Sequence, residues 1–160
     1  MISALENLCG PGKSLRKEPA DAKEFAGLTR SGKERLADAQ NSDVSMAGRF
    51  DLAYNASHAL SLAALRRLGY RATNRYIVFQ VLPHTLALGP AVWGVLAKCH
   101  DVRNLGEYEG DLNIDERLLA DLIHCMQDRS HRPRQAAADL KGAVAAELSV
   151  GGVQDDEDNH

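Results

Sequence analysis

From Ser45 to Tyr70 the chain reads SMAGRFDLAYNASHALSLAALRRLGY, with no proline and no β-branched side chain. Phe50, Ala53, Tyr54, Ala56, Leu60, Ala63, Ala64 and Leu68 recur at three- and four-residue steps, the period of a helix facing a core. A helix over this whole stretch would be roughly 39 Å long, so the rest of a small chain must be arranged around it. Its many alanines and serines allow a second helix to approach closely. Gly69 supplies the natural C-terminal stop.

The flanking segments carry the same period. After Pro19, the run DAKEFAGLTRSGKERLADAQ from Asp21 spaces Phe25, Leu28 and Leu36 as a helix would, although Gly27 and Gly32 weaken it. Asn41-Ser42-Asp43 reads as a turn with N-cap candidates. Arg75 to Val81, RYIVFQV, has strand-like composition, but helical patterns on both sides and Pro83 beyond it favour a short helix. A turn at Leu88-Gly89-Pro90 precedes a helix from about Ala91 to Tyr108, and Asp111–Asn113 breaks it. Ile114 to Gln127 then forms a helix with Leu118, Leu119, Leu122 and Ile123 inward, and Pro133 opens an alanine-rich helix to about Leu148. The sum is an all-α, antiparallel helical bundle of five to six helices with little or no sheet. An N-terminal helical segment over 1–42 is expected to pack on a core bundle over 43–130. A C-terminal helix over 131–149 and a disordered acidic tail over 150–160 complete the division.

At 160 residues the chain suits one domain with a real core. Its net charge of −3 is more than accounted for by the tail acids Asp155 to Asp158, leaving a nearly neutral body with local basic clusters. No apolar run reaches the roughly 20 residues of a membrane span, and the first residues lack a signal-peptide core. Cys9, Cys99 and Cys125 form no CxxC pair, which fits a reducing compartment and predicts a cytoplasmic protein. Cys99-His100 and His124-Cys125 suggest zinc, but helical neighbours diverge by about 100°, so each pair aims only one ligand inward. No metal and no cofactor is expected.

The chemistry concentrates in RNLGEYEG, Arg103 to Gly110, near the end of the Ala91–Tyr108 helix. His100, Arg103 and Glu107 continue the stripe begun by Trp93 and Leu96, beside an apolar arc of Val92, Val95, Cys99 and Val102. Asn104 and Tyr108 form an i, i+4 pair on the adjacent face. The bland account is an Arg103–Glu107 ion pair with Tyr108 capping the core. Two further basic groups stand out: Arg66, Arg67, Arg71 and Arg75 with Tyr70 and Tyr76 interleaved, and Arg129, Arg132 and Arg134. Such groups can hold phosphates and stack bases, and a basic helix end also complements the helix dipole.

YNASHALSLAALRRLGYR, Tyr54 to Arg71, together with RNLGEYEG, resembles the HEPN superfamily of small helical nucleotide-binding domains, over about Asp43 to Gln127. The family motif is an arginine, a polar residue, a short spacer and a histidine. Arg103 matches the arginine and Asn104 the polar residue, while Tyr108 occupies the histidine position. The resemblance implies a HEPN-like bundle and a metal-independent ribonuclease site assembled where two protomers meet. Positions i and i+5 of one helix diverge by about 140°, so Arg103 and Tyr108 converge only across a two-fold axis, and a homodimer is expected.

Tyrosine at the histidine position changes the chemistry. A phenol of pKa about 10 is protonated at pH 7 and is a poor base, whereas imidazole titrates near neutrality. His100, one turn before Arg103, is the natural substitute, and His58, one turn after Tyr54, is the second candidate. Arg103, Tyr108 and His100 are therefore the candidate catalytic set, and Asn104, Glu107, Tyr54, His58 and Arg71 the candidate nucleotide- or RNA-binding set. The resemblance further implies a component of a toxin–antitoxin or related two-component system. The alternative is a non-catalytic HEPN interaction module that dimerises and pairs with a minimal nucleotidyltransferase or another antitoxin partner. In such pairs a tyrosine near the motif can be modified, which makes Tyr108 a conceivable target. A helical scaffold without nucleotide contact is the reading from a different class.

Overall fold

A computed structural model describes residues 4–86, 90–109 and 114–127, with the side chains of Pro90, Glu107, Tyr108 and Glu109 outside that description. The chain is mostly helical. Its elements are α1 (Ala4–Asn7), β1 (Leu15–Lys17), α2 (Ala22–Asp38), α3 (Met46–Arg67), β2 (Tyr70–Ala72), α4 (Arg75–Gln80), α5 (Leu82–Thr85), α6 (Pro90–Glu109) and α7 (116–127). The expected C-terminal helix, the acidic tail, the Arg129–Arg134 cluster, the Asp111–Asn113 break and Leu88-Gly89 of the expected Leu88–Pro90 turn lie outside the described residues, while Pro90 already begins α6.

Local sequence sets the helix ends. Asp21 caps α2 by accepting from the Lys23 and Glu24 backbone N–H groups at 2.8 and 3.1 Å. Ser45, rather than the Asn41–Asp43 turn, caps α3 through Oγ accepting from Gly48 N–H at 3.1 Å. Asn41 instead closes its own turn by accepting from Asp43 N–H. The helix ends at Arg67, three residues short of the expected Tyr70, because Gly69 adopts φ +86° and Tyr70 begins β2. Asn74 caps α4 through its bond from Ile77 N–H, which turns the strand-like RYIVFQ run into a helix.

The main core surrounds α3. Phe50, Ala53, Tyr54, Ala56 and Leu60 pack with Leu36 of α2, Phe79 of α4, Leu96 and Cys99 of α6, and Leu118, Leu119, Leu122, Ile123 and Met126 of α7. The four inward positions expected for α7 are all buried. The first turn of α2 meets the end of α3 at Glu24–Arg66, and Arg49 near the start of α3 donates to Ala39 O just after α2. The two helices are thus antiparallel. Gly32 makes this approach possible: a Cβ there would sit 2.7 Å from Leu60 Cγ.

The sheet is small, within the expected little or no sheet, but its strands and a second core were not placed from the sequence. β1 and β2 pair antiparallel, with Leu15 opposite Ala72 and Lys17 opposite Tyr70. Beneath them Leu5, Leu15, Leu65, Ile77, Val78 and Val81 form a separate buried cluster. Arg66, only 2% exposed, ties this end together. Its guanidinium bonds Glu24 and the carbonyls of Glu18, Pro19 and Tyr70 at 2.8–3.3 Å, so the buried charge is fully engaged.

Candidate functional site

Side chains from α3, α4 and α6 meet at one point on the bundle. Tyr54 on α3 is fully buried, stacked on Phe50 and edge-on to Phe79. Its hydroxyl reaches His100 Nδ1 of α6 at 2.8 Å, and the other ring nitrogen of His100 lies 3.1 Å from Asn104 Nδ2, one turn on. The Arg103 guanidinium lies over the Tyr54 ring, 4.9 Å from its centroid. Tyr76 of α4, 38% exposed, covers His100 at 5.1 Å and meets Trp93 edge-on at 5.7 Å. His58 stands beside this group, edge-on to Phe79 at 6.1 Å.

The Tyr54–His100–Asn104 chain has two self-consistent proton arrangements for a neutral imidazole. With the Asn104 amide donating to Nε2, the imidazole carries its proton on Nδ1 and donates to the tyrosine oxygen. With Asn104 Oδ1 turned toward Nε2–H, the tyrosine O–H donates to Nδ1. In that amide orientation a cationic imidazole is also satisfied, donating to both neighbours. His100 is therefore oriented on both sides, each ring nitrogen facing a hydrogen-bonding neighbour.

His58 behaves differently. Burial first, then the charges of Arg75 and Arg103, push its pKa down to about 4, so it is neutral at physiological pH. Cys99 is buried, and burial pushes its thiol up to about 12, which leaves it inert as a nucleophile. Among the described residues no group of three or more His, Cys, Asp and Glu side chains converges as a metal site would.

The structure brings together His100, Arg103, Asn104, Tyr54 and His58. Asn104 was expected on a face apart from His100, but its side chain reaches back one turn to bond it. Tyr54 was placed in the nucleotide-binding set, yet its ring is fully buried and its hydroxyl meets His100, so it presents no open surface. Arg71 belongs to a different network: its guanidinium is bonded to Glu18 and, at 2.8 Å, to Glu24. Those carboxylates raise its pKa, and the Arg71 hydrogen bond holds Glu18 below the ordinary carboxylate range. Arg67 lies over the Phe25 ring at 6.0 Å. The backbone of Glu107 and Tyr108 continues α6, and their side chains lie outside the described residues. Tyr76 and Arg75 are the additions, visible in sequence only as part of the basic run around Tyr70.

Grooves flank α7, one lined by Gln40, Arg49, Glu116 and His124 and the other by Lys98, Asp115, Arg117 and Asp121. Neither contains a residue of the His100 group. Among the described residues no helix is long and apolar enough to cross a membrane. Comparison of the chain with protein-family models, with curated proteins and with solved structures gives no match.

Proposed function

We propose that this protein binds RNA or a nucleotide through the Arg103-centred face of α3, α4 and α6. In this reading it is a HEPN-like bundle and one component of a toxin–antitoxin or related two-component system. The observation that carries the reading is the Tyr54–His100–Asn104 hydrogen-bond chain, with Arg103 packed against the same tyrosine. A guanidinium beside an oriented imidazole is what phosphodiester recognition and proton transfer require. His100 supplies the imidazole that the motif has lost at Tyr108, and metal-independent cleavage through the RNA's own 2′-hydroxyl is the reaction it would serve. A homodimer in which two Arg103–Tyr108 motifs face each other belongs to the same proposal.

A second reading has its own observation. The full burial of Tyr54 and the packing of Arg103 over it also fit a rigid, non-catalytic module that dimerises or engages a nucleotidyltransferase partner. Incubation of the purified protein with bulk RNA in EDTA, alongside Arg103→Ala and His100→Gln, separates the two. Cleavage lost in both variants supports the nuclease. RNA binding without cleavage supports the binding face without the nuclease chemistry, while the absence of both binding and cleavage overturns the RNA reading and leaves the module.

A further inference from the structure

The side chains of α4 go to three places. Phe79 enters the main core, Ile77 and Val78 enter the second core, and Tyr76 joins neither. At 38% exposed, Tyr76 is the most open aromatic ring among the described residues. It meets two rings of α6 instead, Trp93 edge-on at 5.7 Å and His100 tilted at 5.1 Å between centroids. Trp93 and His100 stand at i and i+7, two turns apart on one stripe of the helix, and both are partly exposed. Each is fixed from the inner side. Trp93 packs against the main core, and His100 is held by Tyr54 and Asn104. A single exposed ring is ordinary on a protein surface. Three adjoining rings, the outermost belonging to neither core, mark a contact surface.

Charge decides what this surface fits. Arg75, the residue before Tyr76, is exposed, and its guanidinium donates to the neutral amide oxygen of Asn55 at 3.3 Å. Among the described residues no carboxylate lies within ion-pairing distance of it. A polyanion that carries flat rings answers both features, whereas an apolar protein face answers only the rings. Resting on the RNA-binding reading above, we infer that Tyr76, braced by Trp93 and His100, is the stacking platform for one unpaired base of a single-stranded RNA. Arg75 stands next to it for the adjoining phosphate. Stacking of this kind tolerates any sequence, because every base has a π-face.

Trp93 is the only tryptophan of the chain, so its fluorescence reports on this surface alone. An oligouridylate titrated in EDTA is expected to quench Trp93 emission. An abasic ribose-phosphate strand of equal length should bind on the order of tenfold more weakly and leave the emission unchanged. Tyr76→Ala should weaken oligouridylate binding by a similar factor at an unchanged salt slope, since no charge is removed. Tyr76→Phe should keep wild-type affinity, because stacking uses the ring and not the hydroxyl. The abasic comparison uses the wild type and so does not depend on the stability of either variant. Wild-type affinity in Tyr76→Ala, or equal affinity for the two strands, overturns the platform and leaves the Arg103 reading standing. Binding by Tyr76→Phe as weak as by Tyr76→Ala assigns the effect to the hydroxyl and overturns it too. No binding of either strand by the wild type overturns the RNA reading and the platform together. In that case, self-association lost in Tyr76→Ala gives the rings to a second copy of the chain.

Discussion

The Tyr54 hydroxyl lies 2.8 Å from His100 Nδ1, joining a fully buried ring on α3 to a partly exposed imidazole on α6. The contact links the core directly to the candidate site. Tyr54→Phe keeps the packing on Phe50 and Phe79 and removes only the hydroxyl. The expected loss is about 1 kcal/mol, or roughly 2–4 °C in a thermal melt. The His100 ring should also lose its fixed orientation, seen as averaged imidazole resonances by NMR.

The α2–α3 crossing rests on a glycine. Gly32→Ala places its Cβ 2.7–2.8 Å from Leu60 Cγ and Cδ2, and Leu60, 1% exposed, has nowhere to move. A destabilisation of about 1–3 kcal/mol is expected by denaturant titration. Gly27→Ala on the same helix meets nothing within 4 Å and should instead stabilise by about 0.5–1 kcal/mol.

His58 makes the fold sensitive to mild acid. Its folded pKa of about 4 lies below the unfolded value near 6.5, so the unfolded chain binds more protons between those values. Its contribution is intact above pH 6.5 and is lost as pH falls toward 4. At pH 5.5 the penalty is on the order of 1 kcal/mol. His58→Gln should flatten the change in Tm between pH 7 and pH 5.5, whatever its effect at neutral pH.

Glu18 works at lower pH. The hydrogen bond from Arg71, with the charges of Arg71, Arg66 and Arg16, lowers its folded pKa below 4.5. Its stabilisation is present above 4.5 and is lost as pH falls through the folded value. Glu18→Gln should remove that low-pH component while leaving the His58 component between pH 5 and 7 unchanged. Arg66→Ala, which removes a 2% exposed guanidinium, should cost roughly 2–4 kcal/mol at neutral pH.

The long elements were legible because their apolar residues keep one phase. Phe50 to Leu60 on α3 and Leu118 to Ile123 on α7 alternate at helical steps and are buried as that phase requires. The short α4 was legible from its neighbours. The β1–β2 pair was not, since LRK and YRA show no alternation and Leu15 meets Ala72 only through the tertiary fold. The same holds for the second core, whose Leu5 and Leu15 stand on either side of the Gly10-Pro11-Gly12 break, where no regular apolar period runs.

Within the candidate site, helical phase placed His100 and Arg103 on one stripe; it also makes Asn104 an i, i+4 neighbour of His100, a pairing passed over because Asn104 was paired with Tyr108. Phase also predicts which face Tyr54 shows the core, yet not that its hydroxyl ends on a histidine 46 positions away. The basic run Arg66–Arg75 looked uniform. Only the positions of Glu18 and Glu24 decide which of its arginines are neutralised.

The central claim is that Arg103 belongs to an RNA-binding face. Anisotropy of a labelled single-stranded RNA, titrated in EDTA with wild type and Arg103→Ala, tests it most directly, with far-UV spectra confirming that both are folded. The account predicts binding by wild type that weakens steeply with salt, and at least a tenfold loss in Arg103→Ala. Equal affinity for the two proteins, or no binding by the wild type, would contradict it.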